Sequence, residues 1–362
     1  MNYQETVNYL FALYPNLANN GWGAYKPGLE RVYALSNLID NPQKKYPIIH
    51  IAGTNGKGSV THILASVLQQ SGYKVGVFCS PHLVDFRERI KINGEYIPEK
   101  FVVDFVKQND EKFKEVGPSF FEYTTMMAFN YFYQEKVDIA IIETGLGGRL
   151  DCTNIVEPIL SIITNIGLDH QKFLGDTIPQ IALEKAGIIK SNVPVVIGKT
   201  QTETERIFKA AAIKNKSDIY FAAIMNFPEM ESDLQGLYQQ ENIKTVQCAL
   251  EVLQSTWTKI SPHSIAIGVK NVVKNTNFLG RWQVVQQQPK VIVDTAHNVD
   301  GITILIQQLQ QLNQPITLIT GFASDKNIDE ILELFPPNFS YIFTSTSNSR
   351  MLSAEDLAQK AS

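Results

Sequence analysis

The sequence predicts an α/β protein built on a parallel sheet. Short apolar runs alternate with helix-like stretches, and a glycine-rich turn joins the first apolar run to the helix-like stretch after it. Continuous apolar runs are typical of strands that helices cover on both faces. At about 100–200 residues per domain, the 362 residues suit two domains. Hydrophobic residues make up 44% and charged residues 19%, which excludes the disordered and fibrous classes.

The first domain opens with a helical segment and then alternates strands with helices. Residues 3–40 have helix-like apolar spacing that a turn at residues 19–28 interrupts. A helix is predicted over residues 59–70. Strands are predicted over residues 46–52, 74–78, 137–142, 159–163 and 193–197.

A second and smaller α/β series begins near Gln288. The predicted domains are therefore residues 1–284 and 285–362. The second domain is predicted to contain strands at 291–293, 316–319 and 341–343, and helices at 301–312, 328–334 and 354–360. Three strands make a thin Rossmann-like domain compared with the usual five or six, so we expect further residues beyond Ser362.

Composition argues against nucleic-acid and membrane partners. Lys and Arg number 32 and Asp and Glu number 36, which leaves a net charge of −4 and no broad basic face. No apolar run reaches the roughly 18–20 residues that span a bilayer, and residues 1–8 have no signal-peptide core. Three well-separated cysteines suit a reducing compartment. These features predict a cytoplasmic protein.

The glycine-rich turn has the composition of a phosphate-binding loop. Residues 51–59 read Ile-Ala-Gly-Thr-Asn-Gly-Lys-Gly-Ser, between a predicted strand and a predicted helix. Such a loop points backbone N–H groups and a helix N-terminus at one anion, and Lys57 adds a positive charge. The spelling departs from the usual P-loop, because Gly58 holds the Ser/Thr position and Ser59 follows it. A tight strand-to-helix turn without a ligand is the alternative.

This loop and the motifs after it resemble the folylpolyglutamate synthase family, a branch of the Mur-ligase superfamily. The resemblance extends from about residue 28 to about residue 357. It rests on motifs in the expected order at residues 53–59, 80–83, 121–124, 143–154, 168–170, 184–188, 280–281 and 294–298. It implies an ATP-binding domain of the central Mur-ligase type over residues 1–284, and a glutamate-ligase domain over residues 285–362. The ATP-binding residues that it implies in the loop are Thr54, Asn55, Gly56, Lys57, Gly58 and Ser59.

Polar residues at predicted strand ends suggest a magnesium site. Ser80 and Glu143 end two strands and His170 follows a third, and ligands of open α/β sheets gather at that edge. Taken alone, Glu143 could be a solvated strand end and His170 is an uncommon Mg²⁺ ligand. The resemblance implies that all three coordinate Mg²⁺. Lys185, which would otherwise be a surface lysine, corresponds in the family to a lysine that CO₂ carbamylates, giving a metal ligand or a group that orients His170.

The second domain and the segment before it are predicted to complete the nucleotide site. The resemblance implies that Asp294 binds the ribose of ATP, that His297 lies near the phosphates, and that Arg281 contacts a phosphate. Asn242 matches a position near adenine. The pattern Asp294-x-x-His297 is also compatible with a helix N-cap at Asp294 or Asn298. The family usually has proline where this chain has Leu279, before Gly280 and Arg281.

The acceptor side of the site is predicted from four further segments that match family positions around a pterin. Ordinary core packing is the alternative for Phe121 and Tyr123. Family members that make dihydrofolate often have an aspartate where this chain has Lys26 or Pro27. The predicted residues are Lys26, Pro27, Gly28, Pro81, His82, Phe121, Glu122, Tyr123, Thr124, Leu150, Asp151 and Cys152.

The resemblance implies an ATP-dependent ligase that adds L-glutamate to dihydropteroate, to tetrahydrofolate (poly)glutamates, or to both, through an acyl phosphate. The catalytic residues would be Lys57, His170, Lys185, Arg281 and His297, and family analogy suggests a monomer. Alternatives are a Mur-type peptidoglycan ligase and an inactive folate-binding homologue. A GTPase, suggested by Asn-Lys-Ser-Asp at residues 215–218, and a dinucleotide oxidoreductase fit less well.

Overall fold

One mostly parallel sheet organises the first part of the chain. The structure, a computed structural model, describes residues 1–15, 28–348 and 350–361. The strands of this sheet are β1 (Ile48–Ala52), β2 (Val75–Phe78), β3 (Ile90–Ile92), β4 (Glu95–Tyr96), β5 (Ile139–Glu143), β6 (Leu160–Ile163), β7 (Val195–Ile197) and β8 (Ile219–Phe221). Within the described residues they are ordered β4-β3-β2-β5-β1-β6-β7-β8. In the order of the sheet, the neighbouring strands β2, β5, β1, β6, β7 and β8 pair in parallel. At the edge, β3 pairs antiparallel with β2, and β4 pairs antiparallel with β3. The predicted α/β class is confirmed.

Helices cover both faces of this sheet, which explains the continuous apolar strands. In β5, Ile139 and Ile141 pack into one cluster, while Ala140 and Ile142 pack into the cluster on the opposite face. The helices of this part are α1 (Tyr3–Leu13), α2 (Glu30–Asn37), α3 (Lys57–Gln70), α4 (Glu99–Val116), α5 (Phe120–Gln134), α6 (Gln171–Leu174), α7 (Ile178–Ala186), α8 (Thr202–Asn215), α9 (Gln239–Gln254), α10 (Pro262–Lys270) and α11 (Val272–Thr276). Short 3₁₀ helices lie at Pro42–Lys44, Phe86–Arg89, Cys152–Ile155 and Ala222–Ile224.

Strand register sets the position of the functional edge. Ile51 of β1 lies opposite Glu143 of β5, and Ala52 lies opposite Ile163 of β6. Phe78 of β2 lies opposite Ile142. The carboxyl ends of four neighbouring strands therefore meet at one edge, which is where ligands of open parallel sheets bind.

Helix α3 is the most enclosed helix of this arrangement. Its residues from Gly58 to Leu68 are all buried, between the sheet and the helices α9, α10 and α11. Gly268 of α10 meets it at close range, because a β-carbon at that residue would lie 2.5 Å from the Cα of Val67. The hydroxyl of Ser66 donates a hydrogen bond of 2.6 Å to the carbonyl of Gly268. Close backbone packing thus fixes α3, and with it the loop at its N-terminus.

The second part of the chain is smaller and differs from the predicted series in one respect. It contains β9 (Gln283–Gln287), β10 (Lys290–Val293), α12 (Val299–Gln310), β11 (Thr317–Thr320), α13 (Ile328–Glu333), β12 (Ser340–Phe343) and α14 (Ala354–Ala361). In the described residues, β10 pairs antiparallel with β9, and β11 pairs parallel with β12 in a separate sheet. The expectation that residues 291–293 begin one continuous parallel series is therefore wrong, because β10 pairs with β9 and not with β11 or β12. The glutamine-rich β9 has no apolar run, so the pattern did not predict it.

The predicted domain boundary at residues 284 and 285 falls within β9. Because β9 is paired to β10, we place the boundary a few residues earlier, between α11 and β9. The predicted turn at residues 19–28 lies, apart from Gly28, outside the described residues. Within the described ranges, no helix is both long and apolar enough to cross a membrane.

Gly268→Ala tests the close packing that holds α3. We expect a loss of about 1–3 kcal/mol in the free energy of unfolding, because the added methyl group meets backbone rather than a flexible side chain. Chemical denaturation followed by circular dichroism measures it. His263→Ala, an exposed change on the same helix, is the control and should leave stability within about 0.5 kcal/mol. A Gly268→Ala variant as stable as the control would contradict the packing argument.

Candidate active site

The loop between β1 and α3 requires glycine at two positions. A β-carbon at Gly53 (φ +154°) would lie 1.9 Å from Thr164 Oγ1, and one at Gly56 (φ +84°) would lie 2.4 Å from Asn242 Oδ1. The segment after β6 anchors the loop, since Asn165 accepts hydrogen bonds from the backbone N–H groups of residues 54 and 55 at 3.0 and 2.8 Å. The loop is therefore held in one shape from both sides.

The N-terminus of α3 has the properties of an anion site. Among the described residues, no side chain caps it. The first N–H groups of an α-helix have no helical partners, so here they are free to bind an anion, and the helix dipole adds positive potential. Ser59 Oγ is buried there without a hydrogen-bond partner in the described part of the chain. Lys57 Nζ donates to the carbonyls of Gly53 at 3.1 Å and Thr54 at 3.3 Å, so its charge lies directly over the loop.

Glu143 lies beside this loop at the end of β5. Its carboxylate is buried, 3.9 Å from Lys57 Nζ, and it accepts a hydrogen bond from the backbone N–H of Ser80. Burial raises the pKa of Glu143, and the charges of Lys57 and Arg281 partly oppose that rise. The predicted neighbours Ser80 and Glu143 are thus brought together.

His170 lies on the turn that opens α6, with a left-handed φ of +54°. Its backbone N–H donates to Asp169 Oδ1 at 2.8 Å. Burial lowers its pKa to about 4, so the imidazole is neutral near pH 7, which is the form that can ligate a metal. In the described residues, no group of three or more His, Cys, Asp or Glu side chains is arranged to hold a metal ion.

Lys185 is buried behind the loop rather than exposed on a surface. It is 3% exposed, and its Nζ donates to the carbonyl of Gly53 at 2.8 Å. Burial lowers its pKa to about 7, with a further contribution from the charge of Lys57. From sequence alone this residue would be assigned to the surface, because it is a lysine on a short helix next to the charged Glu184.

Arg281 approaches the loop from the second part of the chain. Its guanidinium lies 5.3 Å above the ring of Phe278 and donates to the carbonyl of Gly280 and to the hydroxyl of Thr295. A β-carbon at Gly58 would lie 3.1 Å from the ring of Phe278 and 3.7 Å from Arg281 Nη2. The glycine at the usual Ser/Thr position therefore leaves room for this aromatic ring.

The segment after β10 contains several predicted residues with separate tasks. Asp294 accepts hydrogen bonds from Tyr238 OH at 3.0 Å and from two backbone N–H groups at 2.8 Å, those of Trp282 and Ala296. Asn298, not Asp294, caps α12 by accepting from the N–H of Gly301 at 2.9 Å. Binding of ribose by Asp294 stays a prediction.

Asn298 also pairs with the loop. Its side-chain amide exchanges hydrogen bonds of 3.2 and 3.0 Å with the amide of Asn55. His297 Nε2 lies 3.3 Å from Asp169 Oδ2, and Lys326 Nζ lies 2.6 Å from Asp169 Oδ1. Burial raises the pKa of Asp169, but its hydrogen bond with His297 and the positive groups around it hold that pKa well below its usual range.

Sequence reasoning missed Asp169, Lys326 and the contact made by Asn298. Asp169 is part of the motif at residues 168–170, so its position next to His170 could have indicated that it lies at the site. Lys326 offered none, because it follows β11 far from any motif. Asn242, predicted near adenine, packs against Gly56 and donates to Gln239 Oε1 at 2.9 Å.

Several predicted acceptor residues gather near the end of β2. His82 accepts a hydrogen bond of 2.7 Å from Arg89 Nε, and burial lowers its pKa to about 4. Phe121 stacks on Phe78 at 5.6 Å and fills the space that a side chain at Gly145 would need. Pro81 is exposed beside them.

Other predicted acceptor residues have structural partners. Glu122 pairs with Arg31 at 3.1 Å and caps α5, and Tyr123 and Thr124 are fully buried.

The predicted residues after β5 are also held by structural contacts. Asp151 is buried and accepts from the backbone N–H groups of Leu146 and Thr153. Cys152 contacts the hydroxyl of Thr125 at 3.1 Å, whereas Leu150 is half-buried and Gly28 lies next to Glu30. Lys26 and Pro27 lie outside the described residues. Their roles stay predictions.

Family models cover most of the chain. The Mur ligase middle domain matches residues 51–276, and the glutamate ligase domain of Mur ligases matches residues 280–362. The folylpolyglutamate synthase of Lacticaseibacillus casei is 34% identical over 95% of this chain and 85% of its own length. The chain belongs to the dihydrofolate synthase/folylpolyglutamate synthase family of Mur ligases. It is an ATP-dependent, amide-bond-forming ligase by that membership.

Solved structures of family members agree with this assignment. FolC of Escherichia coli, solved in complex with DHPP and ADP, is 29% identical with a TM-score of 0.87, covering 100% of this chain and 87% of that one. Folylpolyglutamate synthase of Thermotoga maritima is 35% identical with a TM-score of 0.82, covering 99% and 87%. By sequence alone, the dihydrofolate synthase/folylpolyglutamate synthase of Bacillus subtilis is 35% identical over 85% of this chain and 78% of its own length.

Gly58→Ser tests the contact between the loop and Phe278. The added atoms would push the ring and the Arg281 guanidinium above it away from the loop. We expect the KM for ATP to rise roughly threefold to tenfold, since small displacements of positioning groups weaken binding. Steady-state ADP release measures it. The double variant with Phe278→Leu should recover most of the affinity, and a single variant with an unchanged KM would refute the proposed contact.

Proposed function

We propose that this protein ligates L-glutamate to dihydropteroate, to tetrahydrofolate (poly)glutamates, or to both, while ATP is converted to ADP and phosphate. The observation that carries the proposal is the N-terminus of α3, which no side chain of the described residues caps, with Lys57 over it and Arg281 facing it from the second domain. Relatives solved with ADP, with AMPPCP and with folate support it.

The first step activates the acceptor. A carboxylate oxygen of the acceptor attacks the γ-phosphorus of ATP, the bond to the β–γ bridging oxygen breaks, and ADP leaves. The N–H groups at the start of α3 and the charge of Lys57 stabilise the negative charge on the phosphoryl oxygens. Arg281 would contact the same phosphates from the opposite side. The product is an acyl phosphate on the acceptor.

The second step forms the amide. The glutamate amine attacks the activated carbonyl, phosphate leaves, and the amine loses a proton. Because water would hydrolyse an acyl phosphate, the site must exclude it. The contacts of Asn298 with Asn55, and of Lys326 with Asp169, bring the second domain onto the loop and so support closure over the intermediate.

The residues at the strand ends fit Mg²⁺, which prefers oxygen ligands and keeps several waters. The buried carboxylate of Glu143 accepts a hydrogen bond from the backbone N–H of Ser80. At the start of α3, the buried hydroxyl of Ser59 has no hydrogen-bond partner among the described residues. Glu143, Ser80 and His170 would hold the ion together with water or phosphate oxygens. When bound, it would neutralise charge on the transferring phosphoryl group.

Lys185 fits carbamylation. Its amine is buried against Gly53, and near pH 7 a large part of it is unprotonated. The neutral amine adds to CO₂, an N–C bond forms and one proton is released. The carbamate could ligate a metal ion or orient His170. We also propose that the protein is a cytoplasmic monomer without nucleic-acid partners, in keeping with its three free cysteines and small-molecule substrates.

ADP release with glutamate, Mg²⁺ and different acceptors tests the function. We expect turnover with dihydropteroate, with tetrahydrofolate, or with both, and a loss of at least about 100-fold in Lys57→Met, since the lysine acts on the transferring phosphoryl. Lys172→Met, a lysine change outside the loop, is the control. Turnover with neither acceptor would refute the folate assignment and favour the inactive homologue or a Mur-type acceptor.

Carbon-13 NMR with labelled bicarbonate tests the carbamate. We expect a carbamate resonance that disappears in Lys185→Arg, because an arginine keeps the positive charge but does not form a carbamate at this pH. Lys190→Arg is a matched control, since Lys190 is also a partly buried lysine with a lowered pKa. The proposal fails if the resonance persists in Lys185→Arg or never forms in the parent protein.

A further inference from the structure

One buried carboxylate receives three groups from across the domain boundary. Asp169 belongs to the first domain and follows β6. Lys326, His297 and Asn298 belong to the second, and lie 2.6, 3.3 and 3.4 Å from its carboxylate oxygens. The side chains of Asp169 and Lys326 are only 9% and 10% exposed. Such a pair is unlike a solvated surface ion pair, because removal of one partner leaves the other buried and uncompensated.

The same carboxylate is connected to the nucleotide loop. Asn298, which approaches Asp169, also exchanges two hydrogen bonds with Asn55 of the loop. The backbone N–H of His170 donates to the oxygen of Asp169 that Lys326 contacts. The nucleotide cleft is the space between the phosphate loop of the first domain and the facing residues of the second. Asp169 therefore connects the two sides of this cleft, where the loop, α6 and the start of α12 meet.

The positive charge of Lys326 neutralises the negative charge of Asp169 next to the nucleotide site. The cleft must accept the phosphates of ATP, which are negative, and a bare buried carboxylate at its edge would repel them. Lys326 neutralises Asp169 only when the second domain lies against the first. Closure thus removes the repulsion at the moment when the nucleotide is enclosed.

We propose that the ion pair between Asp169 and Lys326 is the latch that holds the two domains closed over the nucleotide site and sets Asn298 on the phosphate loop, with His297 beside Asp169. Lys326 is a positioning residue in this proposal, which acts through Asp169 and does not touch the substrates. The proposal rests on the ATP-dependent ligase function.

The chain provides a matched control. Asp325, the residue before Lys326, pairs with Arg350 through two hydrogen bonds of 2.9 Å. Both members of that pair belong to the second domain. Arg350→Met therefore removes a partly buried ion pair whose two members both lie in the second domain.

The test measures ADP release against ATP concentration in Lys326→Met, Asp169→Asn, the double variant, Lys326→Arg and Arg350→Met. We expect kcat/KM for ATP to fall about tenfold or more in Lys326→Met, which is about 1.4 kcal/mol or more. Lys326→Arg should retain most of the activity. The double variant should be at least as active as Asp169→Asn alone, because Lys326 acts through Asp169. Arg350→Met should stay within about threefold of the parent, even if it lowers the melting temperature.

Solution scattering with a non-hydrolysable ATP analogue provides a readout that a merely structural role would not move. The parent protein should become more compact on binding the analogue, and Lys326→Met should not, although its melting temperature stays close to that of Arg350→Met. Unchanged ATP kinetics in Lys326→Met, or additive losses in the double variant, would overturn the latch. A rise confined to the KM for glutamate would also overturn it, because Lys326 would then bind that substrate. Failure of the proposed function is distinct, since the parent protein would then release no ADP with any acceptor.

Discussion

The buried N-terminus of α3, which no side chain caps in the part of the chain that the structure describes, is the constraint on which the rest of the structure depends. The first N–H groups of α3 lie beneath a loop whose glycines leave no room for side chains. Buried N–H groups without partners are costly, so this end of the helix is stable only where an anion or water can reach it. The sheet edge supplies that opening, and Lys57, Glu143 and Lys185 are positioned around it.

Both positive and negative side chains lie at this opening. Lys57 and Lys185 lie at the loop itself, and each donates to the carbonyl of Gly53. The acidic groups Glu143 and Asp169 each face a positive partner, Lys57 and Lys326 respectively. The opening therefore attracts phosphate while keeping two carboxylates close enough to act on a metal ion or on the opposite domain.

Local pattern predicted the parts of this site that depend on strand ends and on the glycine loop. The proximity of Glu143 and Ser80 was predictable because each follows an apolar run, and the carboxyl ends of parallel strands meet at the same edge. The pattern could not show that Lys185 is buried, since burial depends on the packing of α7 against a distant loop. It could not connect Asp169 with Lys326, which lie 157 residues apart. It also missed β9, because backbone pairing needs no apolar side chains.

The enclosure of α3 has a consequence for how ordering entropy is distributed on binding. A helix surrounded by the sheet and by α9, α10 and α11 has little freedom left to lose when a nucleotide arrives. The second domain meets the loop and Asp169 through a few polar contacts and has more freedom to lose. The loop is thus preorganised for the nucleotide, whereas the second domain becomes more ordered when the nucleotide binds. Nucleotide affinity and commitment to reaction can then be tuned by substitutions in different parts of the molecule.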